Sequence, residues 1–299
     1  MLAVLLSATL HGIAGRTVRV EVDVAPGLPG FTIVGLPDAA LSEARERVRG
    51  ALRNAGFQHP PRRITVNLAP AELRKAGASL DLAIAIGILL GSEQLRSAPA
   101  GTALIGELGL GGEVRAVPGI LPMCLVLAAR GVERVLVPTA AVAEARLAPG
   151  IVAVPVESLA DAADRLRLPR TRRAPRAPLP RAGAAERADR VDSPVPVPPA
   201  RPVSDPPVDL AEVRGQAVAR RGLEIALAGG HALLLIGPPG SGKTLLARTI
   251  PTLLPDLDDA AALSATVVAS VAGAGPVTAL VRRPPVRMPH HTAYRQHRE

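Results

Sequence analysis

The segment HALLLIGPPGSGKTLLARTI, residues 231–250, restricts the fold more than any other part of the chain. Within it, GPPGSGKT at 237–244 fits the template G-x-x-x-x-G-K-[ST]. An apolar run precedes the glycines and an amphipathic run follows them, so the sequence predicts a strand, a tight turn and a helix. Each residue type has a physical reason. Gly237, Gly240 and Gly242 permit torsions that a Cβ resists, letting backbone N–H groups face inward around an anion. Lys243 supplies a positive charge for the outer phosphates of a nucleotide, and Thr244 a hydroxyl for Mg²⁺. Pro238, Pro239 and Ser241 complete the loop. A helix that starts on such a loop adds unsatisfied N–H groups and the positive end of its dipole.

Binding a nucleotide is a smaller demand than hydrolysing it, which also needs an acidic residue to hold Mg²⁺ and orient water. The acidic residues after Thr244 are Asp256, Asp258, Asp259 and Glu299, and none ends an apolar strand. The sequence therefore predicts nucleotide binding without hydrolysis by this chain alone, and no catalytic residue is assigned.

The rest of the chain divides into blocks. Residues 1–168 alternate strand and helix patterns. RTVRVEVDV places Val18, Val20, Val22 and Val24 on one face of a strand. Residues 36–57 read as a helix with Pro37 near its start and Gly56 at its end, followed by the strand RITVNLAP. SLDLAIAIGILLG is an almost wholly apolar, hence buried, helix, and its apolar run from Leu82 to Gly91 is too short to span a bilayer. TALIGELGLGGEVRAVPG reads as two strands around a glycine-rich turn, and alternating helices and strands continue to ESLADAADRLR. The apolar start MLAVLLSATL lacks the basic residues of a secretory signal and reads as strand. Residues 169–207 hold 11 of the 31 prolines among Arg, Ala, Ser and Asp, and are expected to form a disordered linker. Residues 208–299 contain the glycine loop, a helix before it, and a helix at DDAAALSATVVASVAG.

Charge follows these blocks. The formal net charge is +9. Residues 165–190 hold nine Arg against Glu186 and Asp189, and residues 282–299 hold five Arg against Glu299. The basic excess lies in the linker and the tail. With 1% aromatic residues, comprising two Phe and one Tyr, few rings are available for stacking on bases. A single cysteine, Cys124, excludes an internal disulfide and reads as a small buried hydrophobe. Together these features predict a soluble cytoplasmic protein without membrane association.

Several segments in register carry a family resemblance: GFTIVGLPDAALSEARERVRGALRNAGF, RRITVNLAPAELRKAGASLDLAIAIGIL, LIGELGLGGEVRAVPGILPM, DLAEVRGQ, GGHALLLIGPPGSGKT and RRPPVRMPHHT. The chain resembles the YifB/ComM family of magnesium-chelatase-like AAA+ ATPases. The resemblance implies an α/β first domain of the ribosomal-protein-S5-like, Lon carboxy-terminal type, then the start of a P-loop AAA+ domain. It also implies ATP and Mg²⁺ as cofactors, hexameric assembly of intact members, and DNA as a partner in branch migration during transformation. DLAEVRGQ is similar to the segment lining the adenine pocket, which assigns Val213 and Gln216 to the base. Compared with the family, the chain reads as truncated after PHHT. The alternative reading is a non-enzymatic interaction module built on the first domain.

The same resemblance raises a peptidase reading, since Ser79 stands where a Lon-type nucleophile would. Its lysine partner is replaced by Leu121, and Lys75 and Lys243 are the only lysines, so no dyad is expected. His290 and His291 read as structural within PHHT. His11, His59 and His231 read as isolated, and Glu107 and Glu113 as exposed hairpin charges.

Overall fold

The computed structural model describes residues 1–36, 43–73, 75, 77–167, 208–273 and 275–286. The sequence expectations for the linker, for Pro37 and for the PHHT histidines fall outside these residues.

The fold is mixed α/β around a mostly parallel seven-stranded sheet. Its strands are β1 (Leu2–His11), β2 (Ala14–Ala25), β3 (Gly30–Val34), β4 (Arg63–Ala69), β5 (Thr102–Leu104), β8 (Arg134–Pro138) and β9 (Val152–Val156), in the order β3-β4-β2-β1-β5-β8-β9. β1 and β2 form an antiparallel hairpin, and β2 and β4 are also antiparallel. The other four pairings are parallel. The glycine-rich segment after β5 makes a separate small hairpin of β6 (Glu107–Leu108) and β7 (Val114–Arg115). Residues 102–119, where the sequence pattern suggested two strands, thus supply one strand to the main sheet and two outside it.

Helices cover both faces because the strands alternate. Leu104 and Leu136 join one core, while Ala103, Val135 and Val137 join the other. The first core is closed by α1 (Ala44–Asn54), α2 (Asp81–Gly91) and α5 (Leu159–Arg167). Val18, Val20, Val22 and Val24 all point into it, as their spacing predicts. Every residue of α2 is buried. A Cβ on Gly87 would stand 2.5 Å from Val22 Cγ2, so the missing side chain is what lets α2 lie against β2. The second core is closed by α3 (Ile120–Ala129) and α4 (Val142–Ala145) and contains Cys124, whose thiol burial pushes up to about 12.

Among the described residues the one buried carboxylate, beside the first core, is paired. Asp81, at the start of α2, receives Arg47 Nε at 2.7 Å and the Leu108 amide at 3.3 Å, which ties α1, α2 and β6 together. Burial pushes its carboxyl up to about 6, against the opposing pull of Arg47.

Among the described residues from 208 to 286, the regular elements are all helices. A turn at Leu210–Glu212, capped reciprocally by Asp209 and Glu212, leads to α6 (Ala217–Gly229), which ends at Gly230 in the left-handed conformation. After the glycine loop come α7 (Lys243–Arg248) and α8 (Ile250–Leu253). The sequence predicts one helix here; Pro251, which lacks the N–H for the next turn, divides it. α9 (Asp259–Ala272) begins at the Asp258 cap and ends at Gly273.

The strand expected at residues 232–237 does not form. These residues carry no ladder, and Leu234 and Ile236 are 80% and 86% exposed. A buried parallel strand requires neighbours on both edges to accept its backbone groups. Among the described residues no strand lies beyond Val156.

Candidate functional site

The glycine loop closes on its own lysine. Lys243 Nζ donates to the carbonyls of Gly237 at 2.8 Å and Pro238 at 2.7 Å, and to Ser241 Oγ at 3.1 Å. Gly240 and Gly242 adopt φ of +79° and +83° with open space where a Cβ would stand, so glycine is required there by torsion and not by crowding. Gly242 caps α7, and its carbonyl accepts from the Leu246 amide at 2.9 Å. Thr244 lies exposed in the first turn of α7, and Pro238 and Pro239 are exposed on the loop.

The two base-pocket candidates lie beside this loop. Gln216 sits at φ +54° just before α6 and donates through Nε2 to the Ser241 carbonyl at 3.1 Å. Val213 is buried with Leu210, Leu223 and Leu246, a small cluster that holds the start of α7 against α6. All ten sequence-selected positions therefore fall in one neighbourhood. The residues fit a phosphate ligand: Lys243 already lies across the loop, bound to neutral carbonyls that are weaker acceptors than a phosphate oxygen.

The acidic residues that follow have other partners. Asp258 accepts from the Ala261 amide at 2.8 Å and caps α9, and Asp259 pairs with Arg282 at 2.6 Å. α9 turns away from the loop and packs Leu263 and Val267 on the second core of the sheet. Ser270 Oγ donates to Glu144 at 2.5 Å, and the Gly119 amide donates to the Ser270 carbonyl at 3.1 Å. Nothing in the sequence signalled this contact between the two halves of the chain.

Ser79 donates its hydroxyl to the Ala8 carbonyl at 3.0 Å. Lys75 is buried, with Nζ bound to the carbonyls of Gly35 and Pro70, and Leu121 is a core residue of α3. Glu113 pairs with Arg115, two residues on along the same arm of the small hairpin. No group of three or more His, Cys, Asp or Glu side chains comes together as a metal site among the described residues. No helix there is long and apolar enough to cross a membrane.

Comparison with known proteins fits this arrangement. The family model for subunit ChlI of Mg-chelatase matches residues 20–141, and that for magnesium chelatase, subunit ChlI, matches residues 209–297. YifB of Escherichia coli K12 is 40% identical over 283 residues, covering 94% of this chain and 52% of YifB. The chain belongs to the magnesium-chelatase-like YifB/ComM family. Competence protein ComM of Haemophilus influenzae is 37% identical over 294 residues, covering 98% of this chain and 54% of ComM. A Mycobacterium tuberculosis H37Rv protein is 39% identical over 293 residues, covering 96% of this chain and 53% of its own length. The chain thus spans about half the length of the curated relatives it matches. Of the two matching family models, one falls on the sheet and the other spans the glycine loop.

Proposed function

We propose that this YifB/ComM-family chain binds ATP with Mg²⁺ at residues 237–244 and belongs to a cytoplasmic system that processes DNA. The observation that carries the reading is the loop itself: Gly240 and Gly242 in left-handed torsions, Lys243 across the turn, and Val213 and Gln216 alongside. Lys243 and the N–H groups opening α7 hold the phosphates, Thr244 is the protein's ligand to Mg²⁺, and Val213 with Gln216 borders the adenine. Bound Mg²⁺ supplies charge neutralisation at the phosphates. The DNA partner is taken from ComM, whose name marks it as a competence protein. Hexameric assembly and coupling of hydrolysis to DNA movement are proposed for the whole protein, as an AAA+ ATPase. Binding without turnover is expected of the described residues, because Asp256, Asp258 and Asp259 lie outside any strand and the last two cap α9 and pair with Arg282.

Titration with a fluorescent ATP analogue tests the reading. Saturable, Mg²⁺-dependent binding that Lys243→Ala weakens at least tenfold is expected. Equal binding by wild type and Lys243→Ala would refute it. Steady ATP turnover that disappears in Lys243→Ala would instead refute the claim that the chain binds without hydrolysing.

A further inference from the structure

A basic cleft with no glycine-loop residue in its lining opens on the edge of the sheet formed by β3. It encloses about 480 Å³ and is lined by Arg49, Arg53, Phe57 and His59 together with the turns at Pro29 and Pro60. A second cleft of about 230 Å³, lined by Phe31, Arg45, Glu46 and Arg49, adjoins it through Arg49. Arg45, Arg49 and Arg53 recur every fourth residue along α1, so they share one side of the helix and their backbone positions step about 6 Å along its axis. Glu46 is the acidic side chain lining these two clefts.

Two features separate this row from an ordinary solvated helix face. First, Arg49 Nε and His59 Nε2 are buried and have no hydrogen-bond partner. Native proteins pair nearly all buried polar atoms, so two unpaired ones lining a single cleft call for an explanation, and a bound ligand atom supplies one. Arg49 and Arg53 also add to burial in lowering the His59 pKa, which reflects a positive potential inside the cleft. Second, Phe31 and Phe57 are the only phenylalanines in the 299 residues, and both border these clefts. Phe31 lies 6.3 Å from the His59 ring. A chain almost without rings has gathered three of them beside a line of arginines.

We propose that this cleft binds single-stranded nucleic acid, with Arg49, Arg53 and Arg45 on successive phosphates and Phe57 and His59 bordering a base. Arginine rows that track a backbone, combined with rings on which bases stack, are the usual means of holding a single strand without sequence preference. The inference gives the DNA partner of the reading above a place on the chain and rests on that part of it. It is independent of the nucleotide loop.

The test is fluorescence anisotropy of the full chain with a fluorescein-labelled oligothymidylate at several salt concentrations. The nine arginines at 165–190 supply a background common to all variants, so the readout is a difference between variants. Replacing Arg49 and Arg53 together by Gln is expected to weaken binding by about tenfold or more and to lower the log–log salt slope by about 1.4, from two lost phosphate contacts on a single strand. Arg53→Gln alone, at an exposed position, should move both in the same direction without touching the fold. Phe57→Leu keeps an apolar side chain under the cleft and should weaken binding at least about fivefold through lost stacking. Arg130→Gln, at an exposed arginine after α3, should change nothing.

If wild type binds and the double variant keeps its affinity and slope, the cleft is overturned while the DNA reading stands. If wild type does not bind, both fail. If the arginine variants weaken binding and Phe57→Leu does not, the cleft is a plain anion site and the assignment to nucleic acid is overturned.

Discussion

Residues 1–167 and 208–286 draw on the same aliphatic residues and bury them very differently. In the first region two extensive cores sandwich a seven-stranded sheet, and whole elements such as α2 are out of contact with water. In the second, the cluster under the glycine loop has four buried members, Leu210, Val213, Leu223 and Leu246, while Leu234 and Ile236 face solvent. The difference separates stability from chemistry. The sheet supplies the cooperative stability, and the loop proposed to bind nucleotide rides on a thin platform joined to the sheet by α9.

The largest expected effect that would break this comparison lies in the first region. Arg47→Ala leaves the buried Asp81 carboxylate unpaired and should cost about 3–5 kcal/mol near neutral pH. The sign with pH follows from the raised pKa of Asp81. In the folded chain it stands at about 6, above the unfolded value, so its contribution is fully present below the unfolded pKa and is lost as pH rises through about 6. Without Arg47 the pKa climbs further, and the gap between variant and wild type should widen from pH 5 to pH 8 in urea unfolding. A constant gap would contradict it.

Next in size, Ile84→Ala in α2 should cost about 2–5 kcal/mol by the same measurement, because the site is wholly enclosed. Ser270→Ala should cost about 1.5–3 kcal/mol of the attachment of α9, since it removes a hydrogen bond to the Glu144 carboxylate. That loss should appear as faster proteolysis between residues 208 and 286, with residues 1–167 still protected. The smallest effect is Leu234→Ser, within about 0.5 kcal/mol, as expected for an exposed position. A larger cost there would show that residues 232–237 are packed after all.

What the sequence reveals and what it hides follow the same division. Period-two alternation places Val18 to Val24 in the core, and the apolar run at 82–91 is the buried helix, because both signals are local and the sheet satisfies them. The glycine loop is legible for the same reason: its torsional needs are written into Gly240 and Gly242. The apolar run at 232–237 misleads, since a strand depends on partners that its own residues cannot specify. The Arg47–Asp81 pair, the seat of α9 on Glu144 and the cleft at Arg49 join residues from separate segments, and no spacing rule connects them. His59, isolated in sequence, acquires its neighbours Phe31 and Arg49 only when β3 and α1 meet.

The central claim is that residues 237–244 form a nucleotide grip on a marginal platform while the sheet is indifferent to nucleotide. Hydrogen–deuterium exchange with and without ATP and Mg²⁺ tests it most directly. The predicted result is slower exchange confined to residues 213–250, absent in Lys243→Ala, with residues 1–167 unchanged. Identical exchange in the presence and absence of nucleotide, or protection that survives Lys243→Ala, would contradict it.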